Sequence, residues 1–146
     1  IRTPAAQPES LKYAPSKVIE LNKFEMVKVG SQVAILGLGS MLVKAENVAA
    51  KLQEKGIDAT IINPRFISGL DEEMLGSLKA NHHTIITLED GEVEGGFGQV
   101  VAGFYGNSNL KVYNFGARKE FTDRVAQEEL YRRYELTTEQ IVAKIL

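Results

Sequence analysis

The chain contains no cysteine, only two histidines among its 146 residues, and no long apolar run. Without cysteine there is no disulfide, no thiolate metal ligand and no cysteine nucleophile. No segment approaches the roughly 20 apolar residues of a membrane span, and no signal-peptide pattern occurs at the N-terminus. The formal net charge of −2 gives no electrostatic reason to expect a nucleic acid or an anionic membrane as partner. We therefore expect a cytoplasmic protein that binds neither.

The composition predicts one globular domain preceded by a linker. With 44% hydrophobic and 25% charged residues, a chain of this length can build one substantial core. The first ten residues hold two of the four prolines and show no hydrophobic periodicity, which predicts an interdomain linker over residues 1–16. Because the chain starts with Ile1 rather than methionine, we expect residues 17–146 to be one domain of a longer chain.

Four short apolar runs predict buried strands, and helical patterns separate them. The runs are residues 32–36, 59–62, 84–88 and 110–115. Helices are expected from Met41, from Asp71 and from near Gly98, and over residues 126–134 and 137–146. Looser alternation between residues 17 and 30 predicts short extended segments at the edge of the domain. Strands that alternate with helices predict an α/β sandwich with a mainly parallel sheet.

Capping signals mark the ends of three predicted helices. Ser40 and Asp71 precede the first two helices as N-caps, and Gly56 follows the first as its terminator. Thr137 and Gln140 have the spacing of a capping box at the start of the last helix. These helices therefore have a predicted boundary as well as a predicted apolar face.

The loops after three of the strands should open on one edge of the sheet, where ligands bind in open α/β folds. They carry the candidate site residues Gly39, Ser40, Arg65, Glu89 and Asp90. Arg65 follows the strand that ends at Ile62, so its guanidinium can bind a phosphate or carboxylate there. The alternative is an arginine that pairs with a local carboxylate and orders the turn.

The other candidates have structural alternatives too. The Gly37–Ser40 turn can cradle an anion, but it lacks the full dinucleotide fingerprint and a P-loop lysine, so a tight structural turn is the alternative. Glu89 and Asp90 can be a general base, a metal ligand or solvated charges, and no histidine or further carboxylate has a spacing that completes a metal site. Residues 91–98, with four glycines and Phe97, can turn tightly, serve catalysis or pack against a neighbouring domain.

The residues alone give no self-contained catalytic set. His82 and His83 precede a strand and are expected to be exposed loop residues. No serine stands in a Gly-x-Ser-x-Gly elbow, so a Ser-His-Asp arrangement cannot be argued. The sequence therefore predicts an α/β domain with an edge that can bind anions and with no self-contained catalytic set.

Three sequence blocks, in this order, resemble one family. They are Val33-Ala-Ile-Leu-Gly-Leu-Gly-Ser40, Pro64-Arg-Phe-Ile-Ser-Gly-Leu-Asp71, and Ile86-Thr-Leu-Glu-Asp-Gly91 with Gly95-Gly-Phe-Gly98. The chain is similar to the C-terminal domain of the transketolase-like thiamine diphosphate enzymes. Within that group it looks most like the 1-deoxy-D-xylulose-5-phosphate synthases. The tail, from Glu120-Phe-Thr-Asp to Leu136-Thr-Thr-Glu-Gln-Ile141, favours the same subgroup.

The resemblance implies a three-layer α/β/α domain with a five-stranded mixed sheet, in which one strand is antiparallel. It implies a homodimeric cytoplasmic transferase that decarboxylates pyruvate and joins the two-carbon unit to glyceraldehyde 3-phosphate, for isoprenoid and thiamine synthesis. Thiamine diphosphate, Mg²⁺ and the catalytic residues would belong to domains outside this chain, so the isolated chain is expected to be inactive. It would supply subunit contacts and Arg65, at a position where the family binds the acceptor phosphate.

Departures from the family pattern leave open which acceptor substrate the enzyme uses. Ser68 and Gly69 replace the usual Lys-Pro, and Ala5 stands where a second phosphate-binding arginine is expected. Loss of that arginine would weaken acceptor binding by roughly 1.5–3 kcal/mol, and Arg2 is a candidate to replace it. Two alternatives stay open. One is a related transketolase-type enzyme with another acceptor, and the other is a docking and dimerisation domain like that of the keto acid dehydrogenase β subunits.

Overall fold

A five-stranded mixed sheet with helices on both faces forms the part of the chain that the structure, a computed structural model, describes: Lys12 and residues 18–146. The elements are β1 (Glu25–Lys28), β2 (Gln32–Gly37), α1 (Met41–Glu54), β3 (Ala59–Asn63), α2 (Glu72–Leu78), β4 (His82–Glu92), α3 (Phe97–Phe104), β5 (Lys111–Ala117), α4 (Gln127–Arg133) and α5 (Thr138–Ile145). The strand order is β1-β3-β2-β4-β5, with β1 antiparallel to β3 and the other pairs parallel. The predicted three-layer α/β/α fold is confirmed.

The predicted linker, together with Arg2 and Ala5, lies outside the described residues except for Lys12. The longest helix in the described ranges, α1, has 14 residues. None of the helices described there combines the length and the apolar character that crossing a membrane requires.

The central strands are buried on both faces, which explains their nearly continuous apolar sequences. Neighbouring residues on β2 show the alternation: Ile35 packs into the core shared with α1, α4 and α5, whereas Leu36 packs into the core shared with α2 and α3. Both side chains are fully buried, as are Leu52 of α1 and Leu75 of α2 on the two sides. The sheet is therefore packed on both faces, and the loops at its edge start from these buried strands.

The helix signals near the candidate loops are confirmed with one exception. Asp71 Oδ1 accepts the N–H of Met74 at 3.2 Å, as an N-cap does, and Gly56 ends α1 with a φ of +78°. Ser40 stands at the N-cap position of α1, but its side chain makes no capping hydrogen bond. Its backbone is already helical, with φ −59° and ψ −22°, whereas a capping side chain needs an extended backbone.

The last helix begins with the predicted capping box. Thr137 Oγ1 accepts the N–H of Gln140 at 3.3 Å, and Gln140 Oε1 accepts the N–H of Thr137 at 3.3 Å. The flanking Leu136 and Ile141 are 2% and 0% exposed, which joins this end of α5 to the core.

His82 and His83 are not loop residues, so that prediction was wrong: they open β4, and only His83 is exposed. Strand pairing to β2 extends β4 beyond the apolar run. His82 Nε2 lies 2.8 Å from Thr60 Oγ1, and its Nδ1 lies 3.0 Å from the oxygen of Leu78. Because Thr60 Oγ1 accepts the N–H of Gly30, its hydroxyl is free to donate to a neutral His82 ring protonated on Nδ1. Burial lowers the pKa of His82.

Candidate functional site

The parallel strands β3, β2 and β4 end at the same edge of the sheet. In the register of the sheet, Leu36 lies beside Ile62, and Gly37 lies beside Leu88. Gly39, Ser40 and Arg65 follow β2 and β3, whereas Glu89 and Asp90, which were predicted to lie in a loop, are residues of β4 itself, because pairing with β5 extends this strand to Glu92. The structure divides the candidate residues into two groups: Arg65 lies beside β1, and Gly39, Ser40, Glu89 and Asp90 lie around the boundary between β2 and β4.

Arg65 lines a cleft of about 750 Å³ between β1 and α2. Arg65 and Lys23 are its cations, and its carboxylates are Glu20, Glu25, Asp71 and Glu73. The residues that line this cleft do not include Gly39, Ser40, Glu89 or Asp90. The sequence therefore identified only one residue of the cleft, because most of the others come from the segment before β3.

A closed ring of hydrogen bonds fixes Arg65. Asn63 Oδ1 accepts the N–H of Arg65 at 3.1 Å, and Asn63 Nδ2 donates to Glu25 Oε2 at 3.2 Å. Arg65 Nη2 closes the ring 2.8 Å from Glu25 Oε1. Arg65 has a φ of +61°, a left-handed conformation that costs an L-residue about 1–2 kcal/mol, and the hydrogen bond that its N–H donates to Asn63 helps to offset this cost. The local pairing that the sequence left open is present, so a ligand anion must compete with Glu25.

Asp71 builds the opposite wall of the cleft. Its Oδ2 accepts the N–H of Phe24 at 3.0 Å, while Oδ1 caps α2 through Met74. Lys23 Nζ lies 3.5 Å from Asp71 and 2.9 Å from Glu73. Burial alone would raise the pKa of Asp71, but these hydrogen bonds and Lys23 hold it below its ordinary value. The hydrogen bond with Glu73 is the main cause that raises the pKa of Lys23. Asp71 and Lys23 therefore stay ionised at neutral pH.

Ser68 and Gly69 contact the segment that precedes β1. Ser68 Oγ donates to Asn22 Oδ1 at 2.7 Å. A Cβ at Gly69 would lie 2.7 Å from Asn22 Nδ2, so any side chain there requires Asn22 to move. Asn22 has a φ of +56°, which asparagine tolerates better than most residues. The departure from Lys-Pro is thus matched by a local contact that the sequence analysis missed.

Glu89 caps helix α3. Its Oε2 accepts the N–H of Phe97 at 3.0 Å, and its Oε1 accepts the N–H of Gly98 at 3.0 Å. The residue is only 5% exposed, so the carboxylate occupies the position where a helix N-terminus would bind an anionic ligand. Asp90 is exposed to solvent. The two adjacent carboxylates therefore have different surroundings, and both oxygens of Glu89 have a structural role.

The glycine-rich loop brings α3 close to this carboxylate. A Cβ at Gly96 would lie 2.4 Å from Glu89 Oε2, so only glycine allows this approach. Phe97 is 6% exposed and packs edge-on against Phe24, with the ring centroids 6.2 Å apart. The Phe97 side chain thus lies in the domain's own core, and packing of residues 91–98 against a neighbouring domain stays a prediction for the other residues of the segment.

The Gly37–Ser40 turn is exposed at its tip and closed at its base. Gly39 has a φ of +59°, with no atom within 4 Å of the place a Cβ would take. The N–H of Leu38 donates to the oxygen of Leu88 at 2.9 Å, which extends the pairing of β2 with β4. The first two helical N–H groups donate to the oxygens of Leu38 and Gly39. These contacts are typical of a tight structural turn, and they leave few N–H groups for an anion.

The described residues offer no ready ligand set for the Mg²⁺ that the family resemblance assigns, with thiamine diphosphate, to other domains. Among them, no group of three or more histidine, aspartate or glutamate side chains can hold a metal ion. The buried carboxylate at the sheet edge, Glu89, already accepts two backbone hydrogen bonds.

Comparison with protein families gives a match to the transketolase C-terminal domain over residues 22–141. The curated 1-deoxy-D-xylulose-5-phosphate synthase of Clostridium tetani is 35% identical over 148 residues, which cover 100% of this chain and 24% of that protein. The enzyme of the same name from Pelotomaculum thermopropionicum is 35% identical over 133 residues, which cover 89% of this chain and 21% of that protein. The chain thus spans no more than about a quarter of the length of these relatives.

Solved structures of transketolases also match this chain. A split-gene transketolase, described as an inactive β4 tetramer, matches with a TM-score of 0.81 and 27% identity over 91% of this chain and 44% of that chain. The transketolase of Campylobacter jejuni matches with a TM-score of 0.61 and 16% identity, over 85% of this chain and 18% of that chain. The second match supports the fold alone.

Proposed function

Because this chain belongs to the transketolase C-terminal domain family, we propose that it is the C-terminal domain of a 1-deoxy-D-xylulose-5-phosphate synthase and that Arg65 binds the acceptor phosphate. The family resemblance drawn from three sequence blocks is confirmed by the match over residues 22–141. In the proposed enzyme, thiamine diphosphate and Mg²⁺ on other domains supply the carbanion chemistry that joins a two-carbon unit from pyruvate to glyceraldehyde 3-phosphate. The residues of this chain bind and orient the acceptor.

The observation that carries the proposal is the position of Arg65 in the cleft beside the carboxyl end of β3. A guanidinium can bind two phosphate oxygens at once and remains charged at every physiological pH. The hydrogen bond to Asn63 sets the backbone of Arg65 before any ligand arrives, so the turn itself needs little ordering on binding. Arg65 therefore holds the acceptor at its phosphate end and takes no part in proton transfer.

Arg65→Ala, in the enzyme that contains this chain, tests the proposal. The loss of a charge-assisted contact should raise the KM for glyceraldehyde 3-phosphate at least about tenfold and leave the KM for pyruvate unchanged. With unphosphorylated glyceraldehyde as acceptor, the variant and the parent should perform alike. Arg132→Ala, at an exposed position on α4, is the matched control. An unchanged KM for the phosphorylated acceptor would remove Arg65 from the site.

The second candidate is a docking and dimerisation domain, as in the keto acid dehydrogenase β subunits. Apolar side chains on two adjoining segments favour it: Leu21 is 76% exposed and Ile67 is 75% exposed. The hydrogen bond from Ser68 to Asn22 joins these segments. Sedimentation of the 146-residue chain should then show self-association, and a Leu21→Ser variant should weaken it. A monomer at high concentration would count against this role.

The same proposal extends to the organisation of the enzyme. We place it in the cytoplasm as a homodimer, with residues 1–16 as the linker from preceding domains and with the isolated chain inactive. Calorimetry that detected tight binding of thiamine diphosphate to the isolated chain would contradict this division of labour. A panel of phosphorylated aldehydes, assayed with the complete enzyme, tests the acceptor, which the alanine at position 5 leaves open.

A further inference from the structure

Glu25 occupies the side of Arg65 that a ligand anion needs. Its Oε1 lies 2.8 Å from Arg65 Nη2, while Arg65 Nη1 donates to the oxygen of Val18 at 3.1 Å. The two paired side chains are only 13% and 9% exposed, so little water separates or screens them. Both terminal nitrogens of the guanidinium therefore have acceptors supplied by the chain itself.

We propose that Glu25 is a resident counter-anion, which an incoming phosphate displaces and which sets the affinity of the site for anions. This inference rests on the proposed anion-binding role of Arg65. A monoanion gains little by replacing Glu25, since one carboxylate would be exchanged for another charge of the same size. A phosphate ester carries close to two negative charges and three acceptor oxygens at neutral pH, so it gains from the exchange. Glu25 thus favours dianionic over monoanionic ligands.

The place of Glu25 in the sheet suits such an exchange. It is the first residue of β1, which lies at the edge of the sheet, and the register of β1 on β3 shifts between Met26 and Lys28. Asn63 holds the second carboxylate oxygen of Glu25 and, independently, the N–H of Arg65. The turn at Arg65 therefore keeps one of its ties when the carboxylate moves away.

Glu25→Gln tests the proposal, because it removes the charge and keeps the shape and one acceptor oxygen. Glu73→Gln is the matched control: Glu73 lines the same cleft, but its carboxylate pairs with Lys23 rather than with Arg65. We would measure inorganic phosphate as an inhibitor competing with the acceptor, using the enzyme that contains this chain. Glu25→Gln should bind phosphate at least about tenfold more tightly, and Glu73→Gln should change the affinity less than about threefold.

The outcomes separate this inference from the proposed function. If Arg65→Ala weakens phosphate binding but Glu25→Gln leaves it unchanged, the counter-anion role is wrong and the function of Arg65 stands. If Arg65→Ala binds phosphate as the parent does, the proposed function fails and this inference fails with it. If Glu25→Gln and Glu73→Gln gained equally in phosphate affinity, the proposal would be overturned, since the loss of one negative charge anywhere in the cleft would explain both gains.

Two further variants cover the remaining cases. In Glu25→Gln combined with Arg65→Ala, the gain in phosphate affinity should disappear, and a gain that persisted would contradict the proposal. Thermal melting shows whether Glu25→Gln remains folded. If it does not, Glu25→Asp keeps the charge but shortens the reach toward Arg65, and it should give a gain of about two- to threefold. No gain in a folded Glu25→Asp would then overturn the proposal.

Discussion

Asp71 accepts a hydrogen bond from the backbone N–H of Phe24 at 3.0 Å, across 47 positions of sequence. The same carboxylate caps α2 through the N–H of Met74. One side chain therefore starts a helix and also ties that helix to the segment that enters β1. This double role makes Asp71 the residue that positions the two walls of the Arg65 cleft.

Asp71→Ala should lower the free energy of unfolding by roughly 2–4 kcal/mol, because it removes a helix cap and leaves the buried N–H of Phe24 without an acceptor. Asp71→Asn should cost less, since its amide oxygen can still accept one of the two bonds. Denaturant unfolding measures both values. The control is Glu72→Ala, at an exposed position in the same helical turn. A loss for Asp71→Ala no larger than that of the control would contradict the double role.

His82 should make the stability of the domain depend on pH. Its pKa is lowered from the ordinary 6.5, mainly by burial and also by the nearby charge of His83, so the unfolded chain takes up a proton more readily than the folded one. The free energy of unfolding should therefore fall as the pH drops below about 6.5.

Denaturant unfolding between about pH 7.5 and pH 5 measures this effect. In His82→Gln the free energy of unfolding should fall less on acidification than it does in the parent. At pH 7.5 the variant should be less stable than the parent by about 1–2 kcal/mol, because hydrogen bonds to Thr60 and Leu78 are weakened. His83→Gln, at an exposed site, should keep most of the pH dependence of the parent. If the free energy of unfolding of His82→Gln depended on pH as steeply as that of the parent, a group other than His82 would be the one that titrates.

Two glycines of helix α3 should respond oppositely to alanine. A Cβ at Gly98 would lie 2.5 Å from Thr87 Oγ1 and 2.9 Å from Asn114 Cγ, so Gly98→Ala should cost about 1–3 kcal/mol of stability. A Cβ at Gly103 would meet nothing within 4 Å, so Gly103→Ala should add about 0.5–1 kcal/mol. Melting temperatures show directly whether each variant is less or more stable than the parent. Similar effects at both positions would mean that helix propensity, rather than contact with the sheet, decides the outcome.

Glu89→Ala should destabilise the domain by about 1–3 kcal/mol, because the N–H groups of Phe97 and Gly98 lose their acceptor. Glu89→Gln should retain one of the two hydrogen bonds and therefore lose less stability than Glu89→Ala. If Glu89 is structural alone, the fall in enzyme activity should follow the fall in folded protein. Activity that vanishes in a fully folded Glu89→Gln would restore the catalytic alternative. The exposed Asp90→Asn serves as the control.

Features set by neighbouring residues could be predicted from the sequence. The buried strands follow from apolar runs, the cap at Asp71 follows from a side chain that reaches the next turn, and the helix end at Gly56 follows from the freedom of glycine to adopt a positive φ. Ser40 shows the limit of this reasoning, because residue type predicts a cap but the backbone conformation decides whether the side chain can form it. The family resemblance implied one antiparallel strand without saying which, and the loose alternation before β2 indicates only extended segments, so the structure alone identifies β1 as that strand.

Contacts between distant segments could not be predicted from residue patterns. Glu25 reaches Arg65 because β1 pairs with β3, and His82 reaches Thr60 because β4 and β3 flank the same strand. Neither pair has a spacing in the sequence that signals it. The candidate loops were predicted from strand order at one edge, but only the packed structure shows that Glu89 turns toward α3 and that Arg65 has a partner.

The edge position of β1 has a consequence for amide hydrogen exchange. A terminal strand can open locally at a free energy well below that of global unfolding, and its amides then exchange early. The contact of Glu25 with Arg65 and that of Phe24 with Asp71 both resist this opening. An anion that takes the place of Glu25 removes the first of them. It should speed exchange in β1 while β2 and β4, inside the sheet, keep their protection, so that exchange reports ligand binding at Arg65.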